Sequence, residues 1–300
     1  MKTLQIKDHN HWLDLRRKFI GASEIAALFF DSPYQTPLEL YLIKSGKIES
    51  KNIDSERVEW GKKLEAPIAE KAASDLNVTL SDDNLYYMST QCKKMGCTPD
   101  RLILDEDKKV VGVMEIKNVA VDQYMRWEDK NPPLYYEMQV QHQMECTDVK
   151  WGCNVFLVGG NKLVIKTYSR NQELIDEMIR KINAFWEDVE KQEMPKVCSD
   201  DFKLLDSIYQ LKPESFIDMS ESEDFNEACK SLNEVNLSIR ELGRMHKDLK
   251  SQIANFSKGN SIVKGDGFTV YNQEISRKEC KIKASVYRKM TLKIDKVMEI

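Results

Sequence analysis

The apolar positions between Trp12 and Glu190 change period repeatedly, and each change marks an element. Trp12–Lys18 has the pattern of a short helix. Ser23 then reads as the N-cap of a second helix, SEIAALF, because its hydroxyl can accept from a free first-turn N–H. Asp31-Ser32-Pro33-Tyr34 turns the chain, and Thr36-Pro37 opens a helix to Lys44 with proline in its first turn. Val58–Leu76 carries Leu64, Ile68 and Ala72 at spacing four, which is one helix face. Asp100 then begins a short strand through Leu102–Leu104, DEDKK (Asp105–Lys109) turns, and Val110–Lys117 returns. Pro132-Pro133 precedes a helix from Tyr135 to Cys146, and Trp151–Val158 and Lys162–Tyr168 are two further strands. Gln172–Glu190 closes this stretch as an amphipathic helix with Leu174, Met178, Ile182 and Phe185 on its buried stripe. Helices and strands interleaved in this order predict an α/β core.

After Pro195 the texture changes. Residues 196–220 have the character of a linker or of short elements. From Phe225 to Phe256 apolar residues recur every 3.5 positions: Phe225, Ala228, Leu232, Val235, Ile239, Leu242, Leu249, Ile253 and Phe256, with His246 the one interruption. A helix of this length reaches about 50 Å at 1.5 Å per residue. Its flanks (Ser231, Asn236, Ser238, Gly243) hold few complementary charges, so packing on the chain's own body and a coiled coil between subunits both stay open. Ser261–Ile300 reads as a small β-rich tail with basic residues Arg277, Lys278, Lys281, Lys283, Arg288 and Lys289. The expected organisation is a core over 1–195, a linker over 196–220, and a long helix with its tail over 221–300.

Composition narrows the class. The chain of 300 residues is 41% hydrophobic and 31% charged, which suits folded domains. A net charge of −4 excludes a polycationic DNA coat, so any nucleic-acid contact must be a local basic surface or a cleft in which metal offsets acidic groups. The seven cysteines are scattered without a C-x-x-C pair, and the four histidines form no ligand pair; reduced thiols in a cytoplasmic protein are expected. The N-terminus lacks an apolar leader and no segment has membrane-spanning length, so no membrane partner is expected.

The chemistry concentrates in residues 97–117, CTPDRLILDEDKKVVGVMEIK. Side chains alternate across a sheet, so Glu115 and Lys117 share a face with Ile116 opposite. A hairpin can bring Asp100 beside Glu115, with the Ile116 backbone carbonyl nearby. Hard oxygens with room for water are what Mg²⁺ takes. The spacing alone also fits a charged surface hairpin, and both readings stand on these residues.

Six segments occur in order: W-L-D-L-R-R-K-F-I-G-A-S-E-I (Trp12–Ile25), S-P-Y-x-T-P (Ser32–Pro37), G-K-K-L-E (Gly61–Glu65), C-T-P-D (Cys97–Asp100), E-I-K (Glu115–Lys117) and Y-Y-E-M-Q-V-Q-H-Q-M (Tyr135–Met144). Together they resemble the YqaJ-like viral recombinase family, related to phage lambda exonuclease within the PD-(D/E)xK nuclease group, over about residues 10–190. The resemblance implies a restriction-endonuclease-like core, a central mixed sheet flanked by helices. It implies an exonuclease that digests duplex DNA from 5′ to 3′ and leaves a 3′ strand for phage-type recombination.

At the matching positions, Asp100, Glu115 and the Ile116 carbonyl would bind Mg²⁺, with Mn²⁺ as a substitute. Lys117 would orient the attacking water or stabilise charge, Glu65 would complete the acidic cluster, and Gln139 would fix the geometry. Arg16 and Ser23 would bind the 5′-phosphate, a role that suits a forked donor and a helix N-terminus. Implied partners are double-stranded DNA ends, a phage single-strand annealing protein and a homo-oligomer, trimeric by analogy, in the cytoplasm of a bacterial host. Tyr34, Tyr135 and Tyr136 are expected to pack, and Cys97 to fill core. The competing readings are a sequence-nonspecific endonuclease of the same fold and a non-catalytic DNA-end-binding recombination partner. An iron–sulfur nuclease would need a cysteine upstream of the core, and none precedes Cys92.

Overall fold

The computed structural model describes residues 2–50, 55–81, 83–127, 129, 131–209, 212 and 214–276. The helices are α1 (His9–Lys18), α2 (Pro37–Lys44), α3 (Glu56–Leu76), α4 (Val121–Met125), α5 (Leu134–Thr147), α6 (Gln172–Lys191), α7 (Phe202–Ile208) and α8 (Glu223–Ser257). The strands are β1 (Lys2–Gln5), β2 (Thr79–Ser81), β3 (Leu85–Met88), β4 (Gly96–Cys97), β5 (Arg101–Leu104), β6 (Val110–Val119), β7 (Trp151–Val158), β8 (Lys162–Ser169), β9 (Ile262–Lys264) and β10 (Thr269–Tyr271). Two compact units result, Met1–Ile208 and Tyr209–Ile300. No described helix is long and apolar enough to cross a membrane.

The first unit is built on a five-stranded mixed sheet in the order β2-β5-β6-β7-β8. β5 and β6 form the expected hairpin, with Arg101 opposite Met114 and Leu102 opposite Val113. β6 then runs parallel to β7, Ile116 opposite Val155, and α4 and α5 make the crossover that a parallel pair requires. Alternation along the strands splits the core. Leu102 and Val113 join Met138, Val140 and Met144 of α5 on one face. Ile103, Met114 and Ile116 join Ile68, Ala69 and Ala72 of α3 on the other. Helices therefore cover both faces, the mixed α/β architecture anticipated. A second, three-stranded sheet, β1-β3-β4, carries Cys97 at the approach to the hairpin.

Local signals account for the helix ends. The Thr36 side chain accepts from Glu39 N–H and caps α2, and Asn171 does the same for Leu174 at the start of α6. Asn77, in the left-handed region at φ 51°, ends α3. The segment after Ser23 departs from expectation. It is a five-residue 3₁₀ turn, Ile25–Phe29, preceded by Glu24 and ended by Phe30 at φ 56°. Ser23 caps nothing here. Glu24 instead folds its own carboxylate back onto the Gly21 N–H at 2.8 Å, and that closes a turn before any regular helix can start.

The chain divides between Ile208 and Tyr209. Leu204, Leu205 and Ile208 of α7 pack against the first unit's core, and buried Asp201 accepts from Thr36 Oγ1 at 2.5 Å. In the second unit, α8 has 35 residues and its apolar seam is exposed, from 40% at Leu232 to 77% at Phe256. β9 and β10 pair antiparallel as a small hairpin. The basic residues Arg277 to Lys289 lie outside the described residues.

Candidate active site

Glu115 is the centre of the arrangement. It sits mid-sheet on β6, 3% exposed, where an unpartnered carboxylate would be costly. Three donors meet it. Lys117 Nζ and Gln139 Nε2 (2.5 Å) donate to Oε1, and Gln143 Nε2 donates to Oε2 at 2.6 Å. Gln139 and Gln143 are four residues apart on α5, hence on one face of it. Gln141 points elsewhere: its amide donates to the Ser169 carbonyl at 2.8 Å and its oxygen accepts from Asn171 N–H at 2.9 Å, tying α5 to the start of α6. Gln139 is among the expected site residues and Gln143 is not. The i, i+4 repeat of glutamine was the signal that could have found it.

Asp100 leads into β5, and its Oδ2 accepts from the Ile116 N–H at 2.8 Å. The N–H and C=O of a strand residue point to the same edge, so the Ile116 carbonyl opens on the Asp100 side. Burial and the neighbouring Glu115 carboxylate push the Asp100 carboxyl up to about 8, with Glu65 adding to the effect and Lys117 and the Ile116 N–H opposing it. Burial disfavours the Lys117 ammonium, yet Glu115 and Asp100 outweigh it and hold the amine above its ordinary value.

Glu65 reaches the cluster from the α3 face. Arg101 points to that face, like Ile103, and donates to Glu65 at 2.6 Å and to the Asp100 carbonyl. Arg101 has no counterpart among the expected site residues. Its place directly after Asp100 on a strand was the available clue. Glu65, Asp100, Arg101, Thr98 and Trp12 line one cleft of about 410 Å³.

Arg16 and Ser23 are adjacent to this cleft. Arg16 lies 4.9 Å from the centre of the Trp12 ring, and its Nη2 donates to Ser23 Oγ at 3.5 Å and Glu24 Oε1 at 3.3 Å. Arg16, Ser23, Thr98, Gln139 and Gln143 line a common cavity of about 60 Å³. Behind Arg16 lies a buried Lys44–Glu24 pair at 2.7 Å, with Lys44 also donating to the Phe19 carbonyl at 2.8 Å. Burial would raise the Glu24 carboxyl, but Lys44 and Arg16 hold it below its usual range.

The structure thus brings Asp100, Glu115, Ile116, Lys117 and Gln139 together, sets Glu65 on the same cleft, and puts Arg16 and Ser23 one cavity away. Tyr136 is buried as expected, but Tyr34 is 71% exposed, edge-on to Tyr135 at 6.3 Å, because the Asp31–Tyr34 turn lifts it off the core. As for a metal, the donor set is oxygen only, and a carboxyl raised by burial and by the neighbouring carboxylates of Glu115 and Glu65 is one that a divalent cation would return to its ordinary range. The residues fit a hard cation.

Comparison with known proteins agrees with the motif reading. Residues 11–150 match the YqaJ-like viral recombinase domain. The uncharacterized protein YqaJ of Bacillus subtilis (strain 168) is 29% identical over 181 residues, 60% of this chain and 56% of that protein. The chain therefore spans a little over half the length of this curated relative. Similar solved structures include the alkaline exonuclease LHK-Exo from Laribacter hongkongensis, at 18% identity and TM-score 0.49 over 61% of this chain and 94% of that one. Another is a phage-related exonuclease from Haemophilus somnus 129PT, at 11% identity and TM-score 0.46 over 58% and 94%.

Proposed function

We propose that the first unit is a Mg²⁺-dependent exonuclease that shortens one strand of linear duplex DNA from its 5′ end. One observation carries this reading: Asp100, on the lining of a cleft, gathers with Glu115 and Lys117, and Arg16 and Ser23 line the neighbouring cavity with the glutamines that hold Glu115. An acidic centre beside a cationic pocket is a site for one scissile phosphodiester and one terminal phosphate. The match of residues 11–150 to the YqaJ-like viral recombinase domain supports the same class.

The bound cation supplies charge neutralisation at the phosphodiester oxygens and activates the nucleophile. Asp100, Glu115 and the Ile116 carbonyl would hold it, and Glu65 would support it from the α3 side. Gln139 and Gln143 fix the Glu115 rotamer, so the carboxylate needs no reorganisation during reaction. Lys117, kept protonated by two carboxylates, orients the attacking water and steadies the developing negative charge. Arg16 and Ser23 take the 5′-phosphate, with the Glu24–Lys44 pair setting the guanidinium. Exposed Tyr34 offers a face for a terminal base. The product is a 3′ single strand, a substrate for a phage-type annealing protein. Processive digestion would follow if subunits enclose the duplex, as a trimer does.

The test uses full-length protein, Mg²⁺, and a linear duplex carrying or lacking a 5′-phosphate, against closed circular DNA. The expected result is progressive loss of 5′ label with circles intact. Nicking of circles at a comparable rate overturns the exonuclease reading in favour of an endonuclease. Binding of ends without any release of nucleotides would leave a non-catalytic DNA-end-binding protein.

A further inference from the structure

Three side chains with soft or borderline donor atoms meet behind the active site, and the chemistry above uses none of them. Cys97 ends β4, and His142 and Cys146 lie four residues apart on α5. Their ligand atoms all lie within 4.8 Å of one another, and each residue is at most 3% exposed. The sequence scatters these residues over 50 positions, which is why no ligand set was visible in it.

The surroundings prepare the ring for a ligand. His142 Nε2 lies 3.1 Å from the Ile20 carbonyl, which can only accept, so Nε2 carries the proton. In the neutral imidazole Nδ1 is then the bare nitrogen, and it faces Cys146 Sγ at 3.8 Å. Histidine ligands commonly show this outer hydrogen bond to a carbonyl. Tyr86 is a second, independent sign. Its hydroxyl is buried without a hydrogen-bond partner among the described residues, and with Cys97 it lines the cavity of about 60 Å³. A buried phenol without an acceptor is a cost that a thiolate or a coordinated water beside it would remove.

We propose that Cys97, His142 and Cys146 bind one Zn²⁺, with a water from the cavity beside Tyr86 in the fourth position. Zinc takes thiolate and imidazole at bond lengths of about 2.0–2.3 Å, so its ligands stand roughly 3.5 Å apart, close to the spacing already present. Binding releases two thiol protons to solvent. Two thiolates, a neutral imidazole and Zn²⁺ sum to zero charge, which suits complete burial. His142 and Cys146 each follow a Glu115-binding glutamine by three residues, and Cys97 precedes Asp100 by three. The ion therefore clamps the approach to Asp100 onto the helix that holds Glu115, and its place is structural.

The experiment uses full-length protein, reduced, stripped with chelator, and reloaded with Co²⁺ under excess Mg²⁺. The expected result is a near-ultraviolet thiolate-to-cobalt band at about one ion per chain, lost on adding equimolar Zn²⁺. The oxygen-only centre at Asp100 and Glu115 cannot give that band. Zn²⁺ alone should raise the melting temperature of stripped protein. Cys97→Ser and Cys146→Ser should each abolish the band, whereas Cys153→Ala, whose thiol is buried elsewhere, should keep it. Reduced wild-type protein without the band overturns the proposal, and that reading needs no variant to fold. A band that survives Cys146→Ser overturns it too. Air-handled protein two hydrogens lighter through a Cys97–Cys146 link, with no band after reduction, assigns the pair to a disulfide instead.

Discussion

The first unit contains two buried glutamate–lysine pairs that differ in charge balance. Glu24 is one carboxylate between two cations, Lys44 and Arg16, and its acidity is strengthened. At β6 two carboxylates, Asp100 and Glu115, share one cation, Lys117, and Asp100 is pushed up to about 8. Exposure differs as well. The Lys44 side chain is 1% exposed and the Lys117 side chain 29%. The closed pair has a surplus of positive charge beside a small cavity; the open pair has a second carboxyl group, Asp100, raised by burial and by Glu115, and Asp100 lines a cleft. One environment favours an anion and the other a cation, although both are built from the same residue types.

Removing either carboxyl group of the open pair should have the largest effect. Asp100→Asn or Glu115→Gln is expected to lower nuclease turnover by about 10³-fold or more, since several kcal/mol of charge stabilisation disappears. Lys117→Ala should cut turnover comparably while end-binding in a gel-shift assay holds. A Lys117→Ala enzyme that degrades DNA at the parent rate would remove Lys117 from the mechanism.

The closed pair should show itself in stability. Glu24→Gln leaves the Lys44 ammonium buried and is expected to cost about 3–5 kcal/mol in denaturant unfolding. The double change Glu24→Gln/Lys44→Met should restore much of that loss. If Glu24→Gln alone unfolds at the parent midpoint, the pair is not closed in solution.

Arg16→Ala should keep turnover on ends lacking phosphate and lose the preference for 5′-phosphorylated ends. One charge-assisted contact corresponds to about ten- to a hundredfold. An unchanged preference would move the phosphate site off Arg16.

The smallest effect, counted per unit of pH, concerns protons. Folded Asp100 titrates near 8 and an ordinary aspartate near 3.8, so the folded chain keeps a proton that the unfolded chain releases between those values. Metal-free stability should therefore fall as pH rises across that window, and Mg²⁺ affinity should climb, about tenfold per unit below 8 where the proton competes. Calorimetric titration at pH 6.5 and 8.5 checks the sign, and an affinity flat across that range would break the comparison.

Much of this was legible in the chain. The hairpin from Asp100 to Lys117, the Thr36 cap, and the stripes Leu64–Ala72 and Leu174–Phe185 all lie where period and punctuation put them. These are local signals, carried by neighbours within a few turns. Ser23 failed as a cap because the competing hydrogen bond came from the Glu24 side chain, which Lys44 and Arg16 steady from other helices. Tyr34 was expected to pack and is exposed, since a turn residue's burial depends on what lies opposite it.

The sequence by itself determined the element types, the α/β order, and the face shared by Glu115 and Lys117, because alternation and helical period are short-range consequences of backbone geometry. Only the tertiary structure decided that Gln139 and Gln143 both close on Glu115, that Arg101 neutralises Glu65, and that Cys97 joins His142 and Cys146. Those partners lie 24 to 49 residues apart on separate elements. No local spacing encodes such a meeting, which exists once β5, β6, α3 and α5 have stacked into one core.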